Sequence, residues 1–402
     1  MKKEKKITLR DEKIISLIFV YFVSISFFNF IIGQLFETGG MIPNLVFLGI
    51  IMVCCYKTTL KIQFTTPAVV LMLLCSLLYV FTRSTSVTTL FGREFIFYFL
   101  AAGILSMYKC DTEKFLRYAS YMSLIILPFY NEIFIEMTST KYNTSIAMGL
   151  SYSMTPLLVA ALMHFCFYRK TKGILIKIIY VLDFVLMIQL MIKGNRGTVM
   201  LFVVALAYIY INRFSGGTKN KTSIIRIVIV IVTAFFAGAY FYEILQFIAD
   251  FLESMDIEAN FIRKIFALQE EGNVTNGRMR IFKFTMEQLG ESPLWGHGLS
   301  TLYYNSGGKF IYPHNFILQL LHDGGLLLAV PVLIVVVRAI WYSFSGEDNQ
   351  ERIIAVYLVV ICLPRFMFSA DIWESELFWF MVFHSLKYHR FRKKIPDFNP
   401  VK

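Results

Sequence analysis

The chain has 402 residues, of which 57% are apolar or aromatic and only 16% are charged. A soluble domain usually carries roughly 25% charged residues, so this composition argues against a water-soluble enzyme. A spanning helix needs about 20 predominantly apolar residues, so a dozen spans would use roughly 240 positions and leave about 160 for loops. The sequence therefore excludes a large soluble catalytic domain and predicts an all-α integral membrane protein.

The predicted spans are apolar runs bounded by charged residues, turn residues or proline. Twelve candidates follow one another, at 14–36, 41–56, 67–82, 95–108, 115–135, 152–168, 174–192, 197–212, 224–248, 316–341, 353–370 and 373–389. Several have only 14 to 17 residues, so 10 to 12 transmembrane helices fit the sequence. The first run follows a basic start like that of a signal peptide, but it lacks a small-residue cleavage site and is predicted to be a retained anchor. We predict a single polytopic membrane domain over 1–402.

The distribution of basic residues predicts how the spans are oriented. Lysines and arginines number 39 against 27 acidic residues, a net charge of +12, and cytoplasmic loops of membrane proteins are enriched in lysine and arginine. If residues 1–13 are cytoplasmic, the inner side holds 27 of the 39 basic residues. This count predicts an even number of spans, both termini in the cytoplasm and a location in the inner or plasma membrane. It also accounts for most of the net charge without a nucleic-acid partner.

One polar segment, 249–315, separates the ninth and tenth predicted spans and is external in this topology. Loops longer than about 12–15 residues are usually functional or disordered. The segment carries helical patterns at 261–269 and 278–289, each with apolar residues at helical spacing. We therefore predict a large external loop whose short amphipathic helices lie over the bundle at the outer interface.

Several motifs of known enzyme classes are missing from the sequence. There is no Asp-x-Asp pair for a metal-bound nucleotide sugar, no phosphate-binding loop and no His-Glu-x-x-His zinc motif. The six cysteines lie within or beside apolar segments, so we predict no disulfide framework and no metal site. An ATP-driven pump, a zinc protease and a metal-dependent nucleotide-sugar transferase are therefore disfavoured, and we predict no cofactor.

Two arginine motifs lie on the predicted outer face. Asn195-Arg196-Gly197 interrupts two apolar runs, and such a break is tolerated at membrane depth only where it is buried in protein or lines a wet cavity. It is either a tight turn with a snorkelling arginine or an arginine fixed for bidentate phosphate binding. Gly277-Arg278-Met279-Arg280 opens a predicted helix, and the helix dipole disfavours a cation in that first turn. Arg278 and Arg280 are thus candidates for anion binding, with a solvated basic face as the alternative.

The third motif, Tyr312-Pro313-His314-Asn315, lies where the chain re-enters the membrane. Asn315 is a predicted N-cap, which places His314 beside a helix N-terminus whose partial positive charge keeps the imidazole neutral. A neutral imidazole at the membrane rim is a competent general base, whereas a lone histidine is more often structural. Asp323 follows nine residues later on the opposite helix face and is predicted to pair elsewhere in the bundle. His297, between two glycines, is predicted to be a loop-packing residue.

Together these motifs resemble the O-antigen ligase and polymerase superfamily, integral membrane proteins that join lipid-linked glycans outside the cytoplasm. The resemblance covers 190–330 and rests on the order of the matching segments. They are Asn195-Arg196-Gly197, Gly277-Arg278, Pro293-Leu294-Trp295-Gly296-His297-Gly298, His314-Asn315 and Asp323-Gly324-Gly325. The chain departs from the family pattern at two positions, since Asn195 replaces the usual Ser and Asp323 stands where Glu is more frequent.

The resemblance implies a polymerase of lipid-linked polysaccharide repeat units, for an O-antigen or a capsule. Arg196, Arg278 and Arg280 would bind the diphosphate of an undecaprenyl diphosphate-linked donor. His314 would take the proton from an acceptor sugar hydroxyl, with Asn315 and Asp323 in support. The bond energy is stored in the donor, so the reaction needs neither nucleotide nor metal. The implied partners are the glycan donor and acceptor, the lipid bilayer and a chain-length regulator.

Three alternatives stay open on the sequence. A ligase of the same superfamily shares the donor and the chemistry and differs in its acceptor. A polysaccharide flippase or solute transporter would use the arginines to line a path, but proton-coupled transport favours chains of intramembrane acids and Asp183 is the one convincing central acid. A structural membrane protein would leave the outward arginine and histidine set unexplained.

Overall fold

The structure is a computed structural model that describes residues 2–36, 46, 49, 65–82, 95–108, 110–129, 144–168, 173–193, 196–214, 240–255, 257, 260–270, 277–345, 350–368 and 370–386. Every regular element in these ranges is helical, so the all-α prediction is confirmed for them. The helices are α1 (Lys2–Val23), α2 (Ile25–Phe36), α3 (Thr66–Phe81), α4 (Ala101–Ser106), α5 (Thr112–Ser123), α6 (Thr144–Phe167), α7 (Ile174–Lys193), α8 (Arg196–Phe214), α9 (Phe241–Glu253), α10 (Asn260–Glu270), α11 (Arg278–Glu291), α12 (Leu302–Asn305), α13 (Phe316–Ser345), α14 (Gln350–Phe368) and α15 (Glu376–Ser385). A π-helical segment, Phe95–Leu100, leads into α4, and a 3₁₀ segment, Leu124–Phe129, follows α5.

Several helices have the length and apolarity of membrane spans. In the described part of the chain, three helical stretches meet both requirements, at Gly149–Phe167, Ile174–Ile192 and Phe316–Phe344. Helices α1 and α2 meet them together across a bend of 51°. The bend lies at Ser24, whose hydroxyl donates to the carbonyl of Val20 at 2.7 Å, a side-chain bond that competes with the helix ladder. The protein is therefore a helical membrane protein.

The predicted number of spans extends beyond what the structure describes. Within the described ranges, three further apolar helices are shorter, at Thr66–Phe81, Phe97–Ser106 and Gly197–Ile211. Most of the predicted span at 41–56 and most of the one at 224–248 lie outside the described residues. The total of 10 to 12 transmembrane helices, and the external position of 249–315, therefore stay predictions.

The chain forms two compact units, each assembled from separate segments. Unit 1 comprises Met1–Thr58, Cys110–Gly277 and Phe344–Arg365, and unit 2 comprises Thr59–Lys109, Arg278–Ser343 and Phe366–Lys402. The candidate residues are divided between them, since Arg196 belongs to unit 1 whereas Arg278, His314 and Asp323 belong to unit 2.

Unit 1 is built around the packing of α5, α6, α7 and α14. The ring of Phe115 on α5 meets that of Tyr357 on α14 edge to face at 5.3 Å between centroids, and the Tyr357 hydroxyl donates to the carbonyl of Pro156 on α6 at 3.1 Å. Asp183 on α7 is buried, and its carboxyl group contacts the hydroxyls of Ser120 and Ser123 on α5. Asp183 therefore has a local hydrogen-bonding role that joins two helices.

Unit 2 has an aromatic core that fixes α15 and the segment before it. Trp373 and Trp379 are fully buried, with 4.6 Å between their ring centroids. Phe99 packs edge to face on Trp379 at 4.8 Å, and Phe378 joins the core to Phe316 at the start of α13 at 5.4 Å. The first turn of α13 is thus held against the most tightly packed part of the unit.

Candidate functional site

Arg278 is the first residue of α11. It follows Gly277, whose φ of 76° is left-handed, a conformation that glycine adopts without steric cost. The chain therefore turns sharply into the helix and places Arg278 among the unsatisfied N–H groups of the first turn, as the sequence predicted. Arg278 is half-buried, whereas Arg280 is exposed. A half-buried guanidinium at this position is suited to hold an anion together with the backbone N–H groups.

His314 lies directly before α13, and its neighbour Asn315 positions it. The Asn315 Oδ1 atom accepts from the backbone N–H groups of Ile317 and Leu318 at 3.0 and 3.1 Å, so the predicted N-cap is confirmed. His314 itself has a φ of 56°, a left-handed conformation that costs an L-residue roughly 1–2 kcal/mol. Strain of this kind is found where the surrounding structure imposes it, and it is concentrated at functional sites.

The electrostatic environment of His314 keeps its ring neutral. Burial, and then the positive charge of the Arg278 guanidinium, lower the pKa of His314 to about 4. The predicted neutrality of the imidazole is therefore supported, but its causes are burial and the charge of Arg278 rather than the partial charge of the helix terminus. Arg278 and His314 therefore interact electrostatically within unit 2.

The His314 ring also has an unsatisfied polar atom. Its Nδ1 is buried and has no hydrogen-bond partner within the described ranges, and leaving such an atom unpaired costs about 1–3 kcal/mol. The ring contacts that of Tyr312 at 4.2 Å between centroids. A neutral imidazole can accept a proton, so the environment of His314 is compatible with a general base.

The loop after α11 docks onto a break in α13. At Gly325 the φ and ψ angles are 60° and −159°, which interrupts the helix. Backbone hydrogen bonds then cross between the loop and the break in both directions. His297 N–H donates to His322 O at 2.7 Å, Gly298 N–H to Asp323 O at 3.0 Å, Leu326 N–H to Pro293 O at 2.9 Å and Leu327 N–H to Leu294 O at 3.2 Å. We call this arrangement of 293–298 on 322–327 the backbone interlock.

Two glycines make the backbone interlock possible. Both have positive φ, 70° at Gly296 and 60° at Gly325. A Cβ atom on Gly296 would lie 2.6 Å from the backbone nitrogen of Gly325, and one on Gly325 would lie 2.3 Å from the carbonyl carbon of Leu294. The family-like segments at 293–298 and 323–325 therefore contact each other directly. Their backbones approach so closely that no side chain fits at Gly296 or Gly325.

Asp323 is part of this structural support. It is buried, its Oδ2 accepts from the Trp373 indole N–H at 2.7 Å, and its Oδ1 accepts from Nδ1 of His322 at 2.9 Å. The prediction that Asp323 pairs within the bundle, away from His314, is confirmed. Its carboxylate ties α13 to the segment before α15, and its supporting role in catalysis stays a prediction.

His297 is a packing residue, as predicted. Its Nε2–H donates to the carbonyl of Gln288 at 2.7 Å, and its ring stacks on that of His322 with 5.3 Å between centroids. Both contacts join the loop to neighbouring elements.

Sequence reasoning missed a second link between α13 and the segment before α15. Gln319 Nε2–H donates to Asp371 Oδ1 at 2.6 Å, and the Trp373 backbone N–H donates to the same oxygen at 2.8 Å. Burial and the neighbouring Glu374 carboxylate raise the pKa of Asp371. Gln319, a polar side chain within an apolar helix, indicates in the sequence that a buried hydrogen bond is formed. It does not identify the partner, because Asp371 lies 52 residues away in the chain.

Arg196 is the first residue of α8, so its backbone begins a helix as Arg278 does. Its side chain and the whole of Asn195 lie outside the described residues. The part assigned to Arg196 therefore stays a prediction. In the described part of the chain, no group of three or more His, Cys, Asp or Glu side chains comes together as metal ligands would.

Comparison with known proteins agrees with the motif analysis. Residues 181–333 match the family model of the O-antigen ligase, and this segment contains every motif from which the resemblance at 190–330 was inferred. The resemblance is thus confirmed over this segment, which is less than half of the chain. No curated protein matches the chain.

Proposed function

We propose that the protein is a polymerase of lipid-linked polysaccharide repeat units, a membrane glycosyltransferase that uses an undecaprenyl diphosphate-linked glycan as its donor. The observation that carries the proposal is the pairing of a neutral, strained His314 with the Arg278 guanidinium inside the segment that resembles O-antigen ligases. A general base and an anion-binding cation are the two groups that glycosyl transfer from a diphosphate requires.

In the proposed reaction, the His314 imidazole takes the proton from an acceptor sugar hydroxyl. The hydroxyl oxygen attacks the anomeric carbon of the donor, and the bond between that carbon and the diphosphate oxygen breaks. The electron pair of this bond leaves with the lipid diphosphate, whose growing negative charge Arg278 stabilises. Arg196 and Arg280 are proposed as further contacts to the diphosphate. The linkage energy of the donor drives the step, so the proposal assigns no nucleotide and no metal.

Binding of the donor would also strengthen the base. In the free protein, Arg278 lowers the pKa of His314. A bound diphosphate would compensate the guanidinium charge, and nearby negative charge favours the imidazolium. The pKa of His314 is therefore expected to rise towards its ordinary value when the donor binds, which matches the base to physiological pH at the moment it is needed.

The test compares His314→Ala with His297→Gln in the purified protein. His314→Ala is expected to reduce single-turnover coupling of a lipid-linked repeat unit by roughly 10²–10⁴-fold, the effect of removing an acid–base group. His297→Gln keeps a donor for the Gln288 carbonyl and is expected to retain most of the activity. Normal coupling by His314→Ala would exclude the role of general base.

A ligase is the second candidate, and the family model that matches 181–333 favours it, because that family is described as O-antigen ligase. Both functions use the same donor and the same proposed residues. Incubation of the purified protein with the lipid-linked repeat unit alone separates them. A polymerase lengthens the glycan under these conditions, whereas a ligase transfers it only when a different acceptor is added.

The proposal also includes the setting of the enzyme. It assigns chain-length control to a partner protein, both termini to the cytoplasm and the protein to the inner or plasma membrane.

A further inference from the structure

The break in α13 divides the helix into two parts of different character. The second part, 326–345, has 20 residues, which corresponds to about 30 Å and matches the hydrocarbon thickness of a bilayer. It can therefore cross the membrane alone. If it does, Gly325 lies at the boundary of the hydrocarbon, and the first part, 316–324, extends beyond it.

The second part presents one continuous apolar face. Its exposed large apolar side chains begin with an adjacent pair and then recur at intervals of three or four residues, which places them on one side of the helix. They are Leu326, Leu327, Val330, Ile334, Val337 and Trp341, with exposures from 43% to 73%. Such a stripe on a helix of this length is the surface that faces lipid. Trp341 lies at its far end, where the headgroups of one leaflet are expected.

The backbone interlock places two more apolar side chains at the other end of this stripe. Leu294 and Trp295 are 54% and 67% exposed, although both belong to a polar loop. The hydrogen bonds from Leu326 and Leu327 to the carbonyls of Pro293 and Leu294 hold the loop at the level of Gly325. The exposed pair therefore continues the lipid-facing stripe at its Gly325 end. Tryptophans at both ends of a span, here Trp295 and Trp341, are typical of the two membrane interfaces.

We propose that Leu294 and Trp295 insert into the headgroup interface of the bilayer on the side that carries the loop, and so anchor the backbone interlock at a fixed depth. The partner is a phospholipid surface. The inference depends on the helix break and on the exposed side chains, and it would stand even if the protein were not a glycosyltransferase.

The anchor also fixes the depth of the candidate site. His314 precedes α13, and the nine helical steps from Phe316 to Gly325 span at most about 14 Å. The headgroup layer outside the hydrocarbon is about 6 Å thick on each side. Two further residue steps separate His314 from Phe316, so His314 lies within about 20 Å of the hydrocarbon boundary on the side of the loop, a range that includes a lipid-linked diphosphate and its first sugar. This last consequence rests on the proposed function.

The tryptophan content of the chain makes the anchor directly measurable. Of the four tryptophans, Trp373 and Trp379 are fully buried, so Trp341→Phe leaves Trp295 as the exposed fluorophore. The full chain carrying Trp341→Phe is reconstituted in phosphatidylcholine vesicles that contain lipid brominated near the headgroup or near the terminal methyl. The emission of Trp295 is expected to be quenched more by lipid brominated near the headgroup than by lipid brominated near the terminal methyl. Aqueous iodide is expected to quench it only weakly.

Two control variants identify the source of the signal. Adding Trp295→Phe to Trp341→Phe is expected to remove the lipid-dependent quenching almost completely. Adding Leu294→Trp to that double variant is expected to restore it, because the neighbouring position lies on the same surface. Strong quenching by iodide without quenching by brominated lipid would overturn the proposal and favour a water-facing platform for a sugar ring. Strongest quenching by the methyl-end bromine, or lipid quenching that persists in the double variant, would overturn it as well.

Discussion

Replacement of Gly296 by alanine is the sharpest test of the backbone interlock. The new Cβ atom would lie 2.6 Å from the Gly325 nitrogen and 2.6 Å from the His322 carbonyl oxygen. Real Cβ atoms do not approach backbone so closely, and neither neighbour is the flexible end of a side chain. The loop and the helix break must therefore separate. Alanine must also adopt the φ of 70° found at Gly296.

The expected magnitude combines two effects. The left-handed conformation costs alanine roughly 1–2 kcal/mol. Separation would break the backbone hydrogen bonds of the interlock, each with a net contribution of about 0.5–1.5 kcal/mol. With all of them lost, the local stability of the loop falls by about 3–8 kcal/mol.

Gly307→Ala is the matched control. Gly307 has a similar φ of 63°, and a Cβ atom there would meet nothing within 4 Å. This variant carries the conformational cost without the clash, so its effect is expected to be roughly 1–2 kcal/mol and confined to its own turn. The difference between the two variants isolates the contribution of the close approach.

The measurement is amide hydrogen exchange of the full chain, read on peptides that cover 293–298 and 322–327. In Gly296→Ala, the amides of His297, Gly298, Leu326 and Leu327 are expected to exchange at least about 150-fold faster, because a loss of about 3 kcal/mol, the lower end of the expected range, corresponds to that factor. Gly307→Ala is expected to leave these amides protected. Equal protection in both variants would refute the reasoning.

Three other outcomes follow from the site and the topology. Arg278→Gln removes a positive charge that lowers the pKa of His314, so the acid limb of kcat/KM is expected to move to higher pH than in the wild type, and an unmoved limb would contradict the electrostatic pairing. Arg196→Lys is expected to restore little of the activity lost in Arg196→Ala, because a point charge cannot replace the planar fork, and normal polymer from the alanine variant would exclude the phosphate role. Single cysteines at positions 270 and 220 of a cysteine-free chain are expected to react oppositely with an impermeant thiol reagent, and labelling of 220 from outside intact cells would overturn the topology.

Local sequence patterns predicted the helices of the polar segment well. The patterns at 261–269 and 278–289 correspond to Asn260–Glu270 and Arg278–Glu291. Amphipathic spacing acts within a few residues, as does the Asn315 cap, so both could be recognised without knowledge of the fold. The neutral state of His314 was predicted for a local reason, whereas its main causes, burial and Arg278, depend on tertiary structure.

Long-range pairings could not be derived from the sequence. The motifs at 293–298 and 323–325 were visible as family-like segments, but nothing in their spacing indicated that one backbone docks on the other. The contacts of Asp323 with Trp373 and of Gln319 with Asp371 join positions about 50 residues apart. Such pairs are decided by the packing of whole helices.

The backbone interlock explains how the two candidate residues come to lie together. Arg278 begins α11, and His314 precedes α13, so each lies at the end of its element that is remote from the interlock. The two elements join where 293–298 meets 322–327, and Phe284 on α11 contacts Phe310 between them at 5.6 Å. Because α11 rises about 20 Å over its length, a small change of angle at the joint moves Arg278 by several ångströms relative to His314. If the joint opens and Arg278 moves away, the guanidinium lowers the pKa of His314 less, so Gly296→Ala is expected to raise that pKa although it alters neither residue.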